Sequence, residues 1–106
     1  MTTLNKSVSQ SYTGTAVGTH DVLIVGKGTW QISGTFVGTL RLLRSNADED
    51  NFVPANGLDG NNISMATPGT LVIDEPDSDG AKYKAECTAY TSGTAVSRIK
   101  DGAENV

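Results

Sequence analysis

Chemistry at an active site needs side chains that converge, and this sequence offers few that could. His20 and Cys87 are the only histidine and the only cysteine in 106 residues. A nucleophile needs a base beside it and a group to orient that base, and a catalytic metal needs several protein ligands. His20 opens an apolar strand segment and reads as a strand-edge residue. Cys87, flanked on its face by alanines, reads as a small core side chain. A single cysteine excludes an intramolecular disulfide and any cysteine-based zinc cluster. No phosphate loop or dinucleotide fingerprint occurs. The expectation is a protein that is not an enzyme and holds no cofactor.

Two charged constellations remain. Glu75-x-Asp77-x-Asp79-Gly80, with Glu86 six residues beyond the glycine, has the ligand spacing of an EF-hand calcium loop, although glutamate stands in the first position. EF-hand loops join helices, whereas this segment joins two strand patterns and Glu86 falls within the second. It therefore reads as an acidic turn without metal, and Glu75, Asp77, Asp79 and Glu86 form a calcium set only as the lesser alternative. The second constellation is basic. Lys82, Lys84, Arg98 and Lys100 are half of the eight Lys and Arg in a chain of net charge -4. An acidic balance argues against general nucleic-acid binding, so this group reads as a solvated face or as a docking surface for an acidic partner.

The elements that must position these residues are strands. Hydrophobic residues make up only 37% of the chain, and Thr, Val, Ser and Gly dominate, as sheets and turns require. The dipeptide Gly-Thr recurs at Gly14, Gly18, Gly28, Gly34, Gly38, Gly69 and Gly93 and punctuates the chain. Strands are expected near 7–12, 20–25, 29–36, 39–45, 52–55, 63–66, 70–74, 81–90 and 94–100. Trp30, Ile32 and Phe36 share one face of theirs, and the run of acids Asp48, Glu49 and Asp50 reads as a solvated loop. The predicted fold is all-β: one sandwich of about seven to nine strands over 14–106, preceded by a polar N-terminal arm, 1–13. No apolar run approaches a membrane span, and the first residues lack the apolar stretch of a secretory signal.

The last two strands invite a closer reading. Ala81, Tyr83, Ala85, Cys87 and Ala89 share one face, and Thr91-Ser92-Gly93 fits a three-residue hairpin loop. That loop would set Ala89 opposite Ala95, Cys87 opposite Ser97, Ala85 opposite Ile99, and Glu86 opposite Arg98 on the outer side. Lys82, Lys84, Arg98 and Lys100 would then gather on one outward face. Arg41, on a neighbouring strand, would join them.

Three resemblances add to this. Leu71-x-Ile73 followed by Asp79-x-Ala81-x-Tyr83-x-Ala85 resembles the passage between strands E and F of immunoglobulin-like domains. It implies a corner tyrosine at Tyr83 with its hydroxyl on backbone, Asp79 capping it, and Ala85 in place of the usual cysteine. Leu40 to Ser45, Phe52-Val53-Pro54 and Tyr83 to Thr94 are similar to fibronectin type III domains. An immunoglobulin-like sandwich is thus implied, while eight or nine strands suit a jelly roll equally. Finally, Gly28-Thr29-Trp30-Gln31-Ile32-Ser33-Gly34-Thr35-Phe36, running on to Ser45, resembles small β proteins of tailed bacteriophages, as does Ala89 to Thr94. The resemblance implies a virion accessory protein, best suited to capsid decoration or cementing. Its partner would be the major capsid protein, with itself as a second, homo-oligomeric partner, and its place the capsid exterior after synthesis in the host cytoplasm. The basic sheet or the N-terminal arm would dock, with the acidic loops turned to solvent. A phage tail or fibre component binding a host surface glycan is the alternative.

Overall fold

Alternating apolar and polar residues, bounded by glycine, give ten strand segments in the computed structural model, which describes residues 7–57 and 60–102. They are β1 (Ser7–Tyr12), β2 (Ala16–Val17), β3 (Val22–Ile24), β4 (Gly26–Ser33), β5 (Phe36–Asn46), β6 (Val53–Pro54), β7 (Ser64–Met65), β8 (Gly69–Glu75), β9 (Ala81–Gly93) and β10 (Ala95–Asp101). Each expected strand is present, and β2 is additional. The strand read at 7–12 is β1 and pairs with β10 along all six residues, so from Ser7 onward the expected arm belongs to the sandwich. Residues 1–6 of that arm lie outside the described residues.

Two antiparallel sheets face each other. One runs β1-β10-β4-β8. In the other, β9 and β5 are central, with β2 and β3 sharing the outer edge of β9 and β6 and β7 sharing that of β5. Counting each shared edge as one position, the layers read 1-8-3-6 and 2-7-4-5. This is the order of a jelly roll. The immunoglobulin arrangement would instead place the closing strand beside the one before it.

That point corrects the expected hairpin. β9 continues through Thr91, Ser92 and Gly93, and Gly93 pairs with Phe36. The chain then crosses to the other sheet, where Ser97 lies between Gln10 and Ile32 and Arg98 between Ser9 and Gln31. Cys87 faces Leu40 and Ala16 instead of Ser97. Ala85 faces Leu42 instead of Ile99, and Glu86 faces Arg41 and Val17 instead of Arg98. The register of β5 against β9 also shifts twice, between Thr39 and Leu40 and between Val37 and Gly38. The inward phase is lost beyond the first shift, which leaves Ala89 exposed.

Gly34 and Gly93 make the two neighbouring sheet-to-sheet corners. Both have positive φ, 99° and 89°, and Thr94 N–H donates to Thr35 C=O at 2.9 Å between them. A Cβ on Gly34 would strike the Thr94 carbonyl, and one on Gly93 the Thr35 carbonyl. The core between the sheets holds Ile24, Trp30, Ile32, Leu40, Leu42, Ile73 and Ile99 with the smaller Ala81, Ala85, Cys87 and Ala95. Trp30 is fully buried and its indole N–H donates to Ser97 Oγ at 3.0 Å. Burying it removes roughly 150–250 Å² from water, on the order of 4–6 kcal/mol.

Candidate functional site

A dense polar cluster sits where the sheets meet the acidic turns. Arg44 on β5 is in phase with Leu40 and Leu42, and Glu75 at the end of β8 is in phase with Leu71 and Ile73, so each points inward. Arg44 and Tyr83 are register partners on β5 and β9. Glu75 reaches them from the opposite sheet. Its Oε1 accepts from Arg44 Nε at 2.7 Å and from Tyr83 O–H at 2.6 Å, and its Oε2 accepts from Arg44 Nη2 at 2.9 Å and from Asp77 N–H at 2.9 Å. Arg44 Nη1 also donates to Asn46 Oδ1 at 3.1 Å.

The paired guanidinium lowers the Glu75 pKa to about 2 against the opposing effect of burial, helped by the tyrosine and the backbone N–H. Burial first, and then the adjoining carboxylate, raise the Tyr83 pKa well above the usual tyrosine value. Arg44 is held charged chiefly by its bonds to Glu75. Both carboxylate oxygens are occupied twice over, so the arrangement clamps the two sheets and leaves Glu75 no room to act as acid, base or ligand.

This placement changes the expectation for Tyr83. Its ring is buried as expected, but its hydroxyl bonds the Glu75 carboxylate instead of backbone. Asp79 does not cap it: Asp79 is exposed and its N–H bonds Asp77 Oδ1 at 3.0 Å. The tyrosine that does bond backbone is Tyr12, whose buried hydroxyl donates to Ala85 C=O at 2.9 Å. Burial, with the nearby Cys87 and Glu86, pushes the Tyr12 pKa up to about 12. Tyr12 falls within the expected arm, and in the sequence only its alternation with Val8 marks it as inward.

The calcium set does not assemble. Glu75 is engaged as described, and Glu86 lies on the outer face of the sheet, bound to Arg41 Nε at 2.8 Å. Among the described residues no three His, Cys, Asp or Glu side chains converge on a metal position. Asp77 and Asp79 instead line an open cleft of about 500 Å³ with Asn46, Ala47, Asp48 and Glu49. His20 is exposed with Nδ1 3.0 Å from Thr19 Oγ1. Cys87 is buried, its thiol pKa raised by that burial, and its S–H lies 3.3 Å from Ala89 C=O.

The five expected docking residues fall on two opposite sides of the molecule. Arg41, Lys82 and Lys84 share the outer face of the β9–β5 sheet, as their strand neighbours require. There each meets a group of this same chain. Arg41 binds Glu86, Lys82 Nζ binds Asp50 Oδ1 at 2.5 Å, and Lys84 Nζ stands 4.2 Å over the Phe52 ring. The acidic loop has folded back onto this face. Ser45, an outer-face residue, is buried beneath it, its Oγ donating to Glu49 C=O and accepting from Asn51 N–H.

Arg98 and Lys100 lie on the outer face of the other sheet, where Lys27 joins them. Two cross-strand rows carry them, Ser9-Arg98-Gln31-Thr70 and Ser7-Lys100-Thr29-Val72. Lys27 is the register partner of Asp74. The side chains in these rows are short or polar apart from Val72, and most are exposed. Lys27 could have been read from its alternation with Trp30 and Ile32, but its sheet could not. No family model matches the sequence, and no curated protein or solved structure matches it.

Proposed function

We propose that this protein is a non-enzymatic structural component of a bacteriophage virion that decorates the assembled capsid. In this reading it docks through the outer face of the β1-β10-β4-β8 sheet onto an acidic patch of the capsid subunit. The observation that carries the docking assignment is the division of basic residues between the two faces. On the β9–β5 sheet Arg41, Lys82 and Lys84 are each matched within the chain. Arg98 lies exposed on a four-stranded face with short polar neighbours, and Lys27 lies exposed there beside Asp74. An open sheet face of this kind suits a broad, electrostatically guided contact with a shell better than enclosure of a small molecule. The virion assignment itself rests on the resemblance carried by Gly28 to Ser45 and Ala89 to Thr94.

The glycan-binding alternative calls for exposed aromatic platforms. Trp30, Tyr12 and Tyr83 are buried, and the Tyr90 hydroxyl is bonded to Gly93 C=O at 2.8 Å. Mixing the purified protein with undecorated shells and pelleting them tests the proposal. Co-sedimentation that weakens with salt, and at least tenfold weaker binding by Arg98→Glu but not by Lys82→Glu, is the expected result. Failure to co-sediment at any salt concentration, together with binding in a glycan screen, would replace it.

A further inference from the structure

The four sheet edges differ in how they are finished. On the β9–β5 sheet both edges are broken into two short pieces, β2 with β3 and β6 with β7, and Pro54 ends β6. Short pieces and proline are the ordinary means of blunting an edge. On the other sheet β1 is continuous but presents Ser7, Ser9 and Ser11 outward. β8 has none of these features. Its seven residues hold an unbroken register with β4, from Gly69 against Ile32 to Glu75 against Gly26, and carry no lysine, proline or bulge. Among the described residues it has no strand on its other side. Val72, at its centre, is 69% exposed, the most exposed of the large hydrophobic side chains among the described residues.

We infer that β8 is the pairing edge for a second copy of this chain, joined antiparallel about a two-fold axis at Val72. The sequence of the strand is complementary to itself in that register. Val72 meets Val72 on the outer face and Thr70 meets Asp74. Leu71 meets Ile73 on the core side, where Leu71 is only half-buried in one copy. No like charges are opposed, and Asp74 already has Lys27 as its register partner within its own sheet. Pro68 and Pro76 bound the strand, limiting the pairing to this segment. The symmetry closes after two copies and gives one eight-stranded sheet. An edge contact of this length lies at the small end of specific interfaces, so the dimer is reversible.

Sedimentation equilibrium of the purified protein without shells, from micromolar to millimolar, tests the inference apart from any capsid role. A reversible monomer–dimer equilibrium is expected. Val72→Lys, which opposes two charges at the axis, should weaken it at least tenfold, and Ser9→Lys on the opposite edge should not. Val72→Cys should form a disulfide-linked dimer under mild oxidation, whereas Ser9→Cys should not, and this second readout stands even if the lysine variant unfolds. A chain that stays monomeric throughout, open-ended filaments, or a dimer no weaker with Val72→Lys and not cross-linked through Val72→Cys would overturn the inference.

Discussion

Glu75 is a carboxylate with no exposed side-chain surface, and it is tolerated because four donors surround it. Replacing it with glutamine keeps the shape but removes the charge that Arg44 answers. Glu75→Gln should cost about 2–3 kcal/mol in urea unfolding, less than the roughly 3–5 kcal/mol typical of a broken, fully buried pair, because Arg44 keeps 30% side-chain exposure and can rehydrate. The same carboxylate sets an acid dependence. Its pKa falls from 4.5 to about 2 on folding, so the unfolded chain takes up the proton first. The stabilisation is complete above pH 4.5 and is lost as pH falls toward 2, about 3 kcal/mol in all. Glu75→Gln should flatten that part of the pH profile. Tyr12→Phe should cost only about 1 kcal/mol, since Ala85 C=O still accepts from Gly18 N–H at 2.8 Å. In the sequence Glu75 reads as part of an acidic turn and Arg44 is not singled out, although the phase of Arg44 with Leu40 and Leu42, and of Glu75 with Leu71 and Ile73, turns both charges inward. What alternation did not reveal was that Tyr83 would choose that carboxylate over backbone.

At the scale of elements, glycine decides where the chain changes sheet. Gly93→Ala forces a side chain into positive φ and against the Thr35 carbonyl, and it should cost about 1–3 kcal/mol or more in thermal unfolding. Gly14→Ala is the matched control. A Cβ there meets nothing within 4 Å, so the change should be neutral or stabilise by up to about 1 kcal/mol. The strands themselves were legible because alternation with a period of two reports which side chains face inward. Ala81, Tyr83, Ala85 and Cys87 do face the core, as do Ser97 and Ile99. Alternation does not report the partner. Two strands joined by a glycine turn have the same inward pattern whether they lie side by side or face each other across the core. A tight turn at Gly93 is compatible with both, and the pairing of Gly93 with Phe36 and of β10 with β1 and β4 separates them.

At the scale of the whole molecule, every sheet is built from distant segments: β1 pairs with β10, β4 with β10, and β5 with β9. Loop closure must precede these contacts, so refolding in stopped-flow should take milliseconds to seconds, not microseconds. The same topology divides the charge. By crossing to the other sheet, β10 carries Arg98 and Lys100 away from Lys82 and Lys84, and the acidic loop then settles on the face they leave. The functional proposal depends on that division. Inter-strand backbone NOEs of the labelled protein measure it most directly. Contacts of Arg98 with Gln31 and Ser9, and of Glu86 with Arg41, are the expected pattern. A ladder joining Glu86 to Arg98 and Cys87 to Ser97 would restore the hairpin, reunite the basic residues on one face, and contradict the arrangement described.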